Sequence, residues 1–260
     1  MESIRSTSNP ALKRVRAVAA GREPGIVLLE GDRLIDEALR LGLGFELMLV
    51  AEDRPERAAE LEAAGVAVRR VSAPLLQGVS RLVTSPGVLA LVGAPDTLPI
   101  RALAPSPDAL VVVAAGIADP GNLGALARTA EAAGARALVA LGDGASPWNE
   151  KALRGSMGSL LRLPIAMVER AEQASEELSA LGFRQVRAVV RGGVDHRSFD
   201  WSGPLALWLA SETGALPDAA QGFEGVSVPM AGPVESLNVT AAAAVLLFAA
   251  QAERTSRENA

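Results

Sequence analysis

Residues 109–141, ALVVVAAGIADPGNLGALARTAEAAGARALVAL, decide the fold. The stretch opens on a continuous apolar run, the pattern of a strand buried on both faces. A Pro-Gly turn leads into an alanine-rich helix, and RALVAL gives the next strand. Strand, helix and strand in this order make a βαβ unit, with a right-handed crossover as the rule. Leu123, Leu126, Ala127, Ala130 and Gly134 form the predicted core stripe of the helix, and Asn122 is placed to cap it. Arg128 stands off that stripe, one turn above Gly124. Helical side chains lean toward the N-terminus, so Arg128 is directed at the glycine-rich loop. It is there either as a solvated guanidinium snorkelling over the helix or as a ligand for something the loop admits.

Further strands are read in QVRAVVRG and LALWLAS, with helices near 149–160, 170–181 and 238–253. Upstream, GAPDTLPIRALAPSPD holds four prolines in residues 93–108 and reads as a linker over 96–107. It separates residues 1–95 from residues 108–260. The first segment alternates helices (NPALKRVRAVAAG, DRLIDEALRLG, PERAAELEAAG) with strands (GIVLLEG, FELMLVAED, VAVRRV, GVLALVG). Leu34, Ile35, Ala38 and Leu41 share one face of the second helix. This is a small α/β layer domain.

Composition excludes several chemistries. Hydrophobic residues make up 49% and charged residues 21% of 260, which describes a globular chain with ample core. No apolar run reaches the roughly 18 residues that a membrane span needs. The polar start, MESIRSTSNPALKRVR, lacks a signal-peptide apolar region, so a cytoplasmic address is expected. There is no cysteine, no tyrosine and one histidine, His196, in the polar loop GGVDHRSFDW. Thiolate zinc sites, cysteine nucleophiles and a histidine metal cluster are excluded, and no metal is expected. The chain has no G-x-S-x-G elbow, no G-K-[ST] phosphate loop and no G-x-G-x-x-G fingerprint. An α/β-hydrolase and an NAD-dependent oxidoreductase are therefore poorly supported. The net charge of −5 argues against a nonspecific nucleic-acid binder. Residues 1–22 differ, with Arg5, Lys13, Arg14, Arg16 and Arg22 against Glu2 alone.

Two later turns resemble the first in character. Gly155-Ser156-Met157-Gly158 interrupts a helix at a cost of about 1 kcal/mol per glycine, which suits close backbone approach. Ser236 and Asn238 stand at the mouth of a helix too apolar to be exposed on any face.

Together, DPGNLGALARTAEAAGA, KALRGSMGSLLRLPI and PMAGPVESLNVTAAAAVLL resemble the three successive motifs of the SpoU (TrmH) family of RNA ribose 2′-O-methyltransferases, within the SPOUT superfamily. NPALKRVRAV, LLEGDRLIDEAL and SPGVLALV are similar to that family's L30e-like substrate-binding domain. The resemblance implies an α/β fold with a trefoil-knotted, parallel-sheet C-terminal domain, a homodimer formed through it, and S-adenosylmethionine as methyl donor. It places Asn122 and Arg128 in the first motif, Ser156 and Gly158 in the second, and Ser236 and Asn238 in the third. Arg128, Asn122, Ser236 and Asn238 are the catalytic positions it implies. Leu209, Ala210, Glu212, Gly214, Val228, Met230, Ser236 and Leu237 are the implied cofactor contacts. One departure is Ala210, where the family's turn has glycine, followed by Glu212 and by Ala215 near a second expected glycine. A Cβ at Ala210 is expected to crowd the cofactor loop or force an altered φ. Lys13, Arg14, Arg16 and Ser156 are the expected RNA contacts. Structured RNA is the implied substrate, ribosomal RNA before transfer RNA. A noncatalytic RNA-binding protein on the same scaffold is the alternative.

Overall fold

The Asn-Pro pair at residues 9–10 opens the first helix of the computed structural model, which describes residues 3–210 and 216–258. Asn9 Oδ1 accepts the Ala11 N–H at 2.9 Å, and Pro10, whose missing N–H costs nothing there, starts α1 (Pro10–Ala19). Leu12, Val15 and Val18 of α1 are buried. Strands β1 (Ile26–Glu30), β2 (Phe45–Ala51), β3 (Val68–Val71) and β4 (Val88–Gly93) form a sheet in the order β1-β4-β2-β3. Its β1/β4 and β4/β2 pairs are antiparallel and β2/β3 is parallel. Helices α2 (Asp32–Arg40), α3 (Pro55–Ala63) and α4 (Ala73–Gln77) complete the layer. Leu34, Ile35 and Ala38 are buried as patterned. Leu41 is 41% exposed, because α2 ends at Arg40 and the chain turns through Gly42 at positive φ.

The chain divides into two compact units, residues 1–95 with 148–161, and residues 96–147 with 162–260. The second motif therefore packs with the first unit. Its helix α6 (Glu150–Ser156) ends at Met157, which takes the left-handed conformation (φ 53°), and Gly158 follows at φ 95°. Arg33 Nε donates to the Met157 carbonyl at 3.3 Å.

Among its described residues the second unit holds seven strands, β5 (Leu110–Ala115), β6 (Ala137–Leu141), β7 (Ile165–Val168), β8 (Arg184–Ala188), β9 (Val194–Asp195), β10 (Leu205–Ala210) and β11 (Glu224–Ser227). They lie in the order β7-β6-β5-β10-β8-β11-β9, with every pair parallel. Helix α5 (Pro120–Ala132) is the crossover between β5 and β6, and α10 (Val239–Glu258) packs against it. The remaining helices are α7 (Ser159–Arg162), α8 (Ala171–Ala180) and α9 (Asp218–Gln221). Two predicted strands, β5 and β10, sit side by side at the centre, and all residues of β5 are buried. Trp208 on β10 donates its indole N–H to Gln185 at 3.1 Å, so the one polar atom of that buried ring is satisfied.

The proline-rich segment is not a free linker. Ile100 and Leu103 are buried in the core of the second unit, and the Leu98 N–H donates to Ile165 at 2.8 Å. Apolar residues spaced between the prolines anchor it. Gly134, expected in the core stripe, is exposed beyond the end of α5 at φ 77°, where a left-handed exit residue is needed. Nor is α10 covered all round: Ala241, Val245, Phe248 and Ala252 form an exposed stripe. Among the described residues no helix is long and apolar enough to cross a membrane.

Candidate active site

The loop after β5 is built to hold the start of α5. The Gly116 N–H donates to Asp143 Oδ1 at 3.1 Å, and the Ala145 N–H to the Ile117 carbonyl at 2.9 Å. The helix cap is Asp119 rather than Asn122. Asp119 Oδ1 accepts the Asn122 N–H at 2.9 Å, because Pro120 fixes the first helical φ and moves the cap one residue upstream of the proline. Asn122 then lies inside the first turn with its side chain available. Leu123, Gly124, Leu126, Ala127 and Ala130 are buried, and Arg128 is exposed. Its guanidinium has no hydrogen-bond or ion-pair partner among the described residues.

Asn238 stands immediately before α10. Its Oδ1 accepts from the backbone N–H and the hydroxyl of Thr240, and its Nδ2 lies 3.5 Å from Asn122 Oδ1. The structure thus brings the first and third motifs together, over 116 positions of sequence.

Beside them a cavity of ≈ 260 Å³ opens at the carboxyl ends of β8, β10 and β11, where open parallel sheets bind ligands. Leu209, Ala210, Val228, Met230, Ser236 and Leu237 all line it, together with Val189 and Leu246. Six of the eight predicted cofactor positions therefore share one cavity, and Glu212 and Gly214 lie outside the described residues. A second recess of ≈ 380 Å³ shares Val190, Val228 and Met230 and is walled by Arg191, Gly192 and Gly193, which adds polar and backbone groups. Ala210 ends β10 paired with Ala115 in regular register. Its φ is not positive, since Met157 is the one described non-glycine residue with that property. The strained backbone expected at Ala210 is absent, and its methyl forms part of the wall.

Residues 109–248 match the SpoU rRNA Methylase family. The chain belongs to that family. It is 31% identical to the 23S rRNA (guanosine(2553)-2′-O)-methyltransferase RlmP of Bacillus subtilis (strain 168), over 95% of this chain and 98% of that one. Its fold is similar to that of an AdoMet-bound rRNA methyltransferase from Sinorhizobium meliloti, with a TM-score of 0.86 at 29% identity, covering 97% of this chain and 98% of the other. The SpoU methyltransferase AviRb from Streptomyces viridochromogenes, in complex with AdoMet, gives a TM-score of 0.84 at 28% identity, covering 95% of this chain and all of the other.

The other SpoU positions divide by their surroundings. Ser156 is fully buried, and its hydroxyl donates to Leu153 at 2.8 Å and accepts from the Leu160 N–H at 3.3 Å. It presents no atom to RNA, which corrects the sequence expectation. Arg14 is held by Glu23 at 2.9 Å and by Glu46, and these carboxylates raise its pKa above the ordinary arginine value. Arg16 donates to the Thr7 carbonyl at 3.1 Å. Lys13 is exposed and has no partner among the described residues. Sequence reading missed Arg154 in the second motif, whose Nη1 is buried without a hydrogen-bond partner.

Proposed function

We propose that this chain is an S-adenosylmethionine-dependent methyltransferase of ribosomal RNA that acts on a ribose 2′-hydroxyl. The observation that carries the reading is the single apolar cavity walled by six cofactor positions named from sequence, with Asn122 and Asn238 joined at the neighbouring helix starts. The donor set fits the cofactor: it carries no phosphate, and the site offers an apolar wall with backbone and glycine groups rather than a phosphate cradle. When bound, S-adenosylmethionine would supply a sulfonium methyl to the ribose oxygen, leaving a thioether, and the hydroxyl proton would pass to solvent water. Arg128 is a poor acceptor for that proton, because a guanidinium stays charged at neutral pH. Its role is to hold the adjoining phosphate and stabilise negative charge developing on the ribose oxygen. The Asn122 amide adds a directed donor.

Several finer features belong to the same reading. The C-terminal unit is a trefoil-knotted SPOUT domain, and two copies pair through the stripe Ala241, Val245, Phe248 and Ala252. The N-terminal α/β layer is an L30e-like RNA-binding domain and the address is cytoplasmic. Lys13 supports RNA binding by its exposure.

The test is transfer of labelled methyl from S-adenosylmethionine to separate unmodified rRNA and tRNA pools, with Arg128→Ala beside the natural protein. Ribose-methylated product in the rRNA pool, lost in the variant, is expected. Product in the tRNA pool alone reassigns the substrate. No transfer and no cofactor binding by calorimetry leaves a noncatalytic RNA binder.

A further inference from the structure

Strands β8 and β10 run side by side up to the edge of the apolar cavity, where they part. Among the described residues their register ends at the pair Trp208↔Arg187. Beyond it Leu209 and Ala210 stay paired with Ala114 and Ala115 of β5, while Ala188 pairs with Val226 of β11. The cavity opens in that fork, with Ala188 and Val189 on one side and Leu209 and Ala210 on the other. Both members of the last pair are pinned by side chains. Trp208, fully buried, donates its indole N–H across the fork to Gln185 Oε1 at 3.1 Å. Gln185 Nε2 donates to the Ser175 carbonyl at 3.0 Å and to the Ser179 hydroxyl at 2.7 Å, both on α8. Arg187 Nε donates to the Phe223 carbonyl at 3.0 Å, and the Phe223 ring centroid lies 5.6 Å from that of Trp208. The sense of the Gln185 amide is fixed, because an indole N–H can only donate and a main-chain carbonyl can only accept. Turned over, the buried amide would set N–H against N–H and C=O against C=O. Trp208 also belongs to the core cluster on which Leu216 packs, and Leu216 lines the cavity.

We propose that Gln185 is a positioning residue for the cofactor: by tying Trp208 to α8 it fixes the width of the β8/β10 fork before S-adenosylmethionine enters. A ligand in an apolar cleft gains from contacts on both faces at once. A gap of about 0.5–1 Å on one side forfeits roughly a quarter to a half of the dispersion well there. A fork already held at its working width leaves less ordering to be done on binding. Asn122 and Arg128, named for the transfer step, stand on α5 and on neither strand of the fork. The bond therefore acts on cofactor affinity and not on the chemical step. The inference rests on the methyltransferase reading above.

Gln185→Met keeps the length of the side chain and loses the amide, whereas Trp208→Phe keeps a ring against Phe223 and loses the N–H. In each, the S-adenosylmethionine Kd is expected to rise about tenfold, by calorimetry well below the melting transition. On rRNA at saturating cofactor, kcat and the KM for RNA are expected to stay within about twofold of the natural protein. The double variant removes both partners of the indole–amide bond, so neither is left buried and unpaired, and it serves where a single variant fails to fold. Its Kd is expected to match that of the weaker single variant, because the two changes remove one interaction. A Kd within about twofold of the natural one in the folded variants overturns the proposal, even with a lowered melting temperature, since the bond then serves stability alone. So does a double variant whose loss is the product of the two single losses, or a kcat that falls at saturating cofactor while Kd is unchanged. A natural protein that binds no S-adenosylmethionine overturns the methyltransferase reading and this inference with it. A natural protein that binds it beside variants that bind it equally well overturns this inference alone.

Discussion

Arg14 and Arg128 look alike in the sequence, each an arginine within a helix, and the structure treats them oppositely. Arg14 is enclosed by Glu23 and Glu46 and spends its charge within the first unit. Arg128 projects from α5 with no partner among the described residues. A guanidinium already paired gains little from an arriving phosphate, since it must first give up a carboxylate. A bare one gains the full charge-assisted contact. Function is therefore better read from what the fold leaves unsatisfied than from charge itself.

The largest effect tests the bare member of that pair. Arg128→Ala is expected to reduce methyl transfer by about a hundredfold or more, the scale of losing a charge-stabilising donor. Cofactor Kd should stay unchanged, since Arg128 does not line the cavity. A large rise in cofactor Kd would move Arg128 from the RNA side of the site to the cofactor side. The same distinction applies to apolar surface. Phe248→Glu, in the middle of the uncovered stripe on α10, is expected to convert a dimer to a monomer by light scattering. An unchanged mass would mean that the stripe is not the subunit contact.

Smaller effects come from the first unit. Lys13→Ala is expected to weaken rRNA binding and to reduce the slope of log affinity against log salt by about one, as for a single lost phosphate contact. Arg14→Ala should leave that slope unchanged, because its charge is already matched. A slope falling equally in both would erase the contrast between paired and bare cations and return the whole of α1 to the RNA interface.

Much of this was legible in the sequence, for definite reasons. Continuous apolar runs marked β5, β6 and β10, and an Asn-Pro pair opened α1, while the cap of α5 was read at Asn122, three residues after Asp119 where it lies. That Leu209, Val228 and Met230 share a cavity followed only from the resemblance of three motifs, since they are ordinary apolar residues until a fold gathers them. What was misread followed from local rules applied without their competitors. Proline density suggested a linker, but Ile100 and Leu103 had enough apolar surface to dock. Gly134 fell on the helical period, yet the helix ends before it. Ser156 had the right residue type for a contact and the wrong burial. The joining of Asn122 to Asn238 has no local signature, because it depends on how α5 and α10 pack.

That packing also sets the order in which the protein becomes functional. Asn122 and Asn238 are 116 residues apart, and the cavity beside them takes walls from β8, β10, the end of β11 and the start of α10. Contacts of such separation form only after a large loss of chain entropy, which slows folding and places them late. A chain whose α10 segment has not yet packed on α5 has its first motif but not the full lining of the cavity.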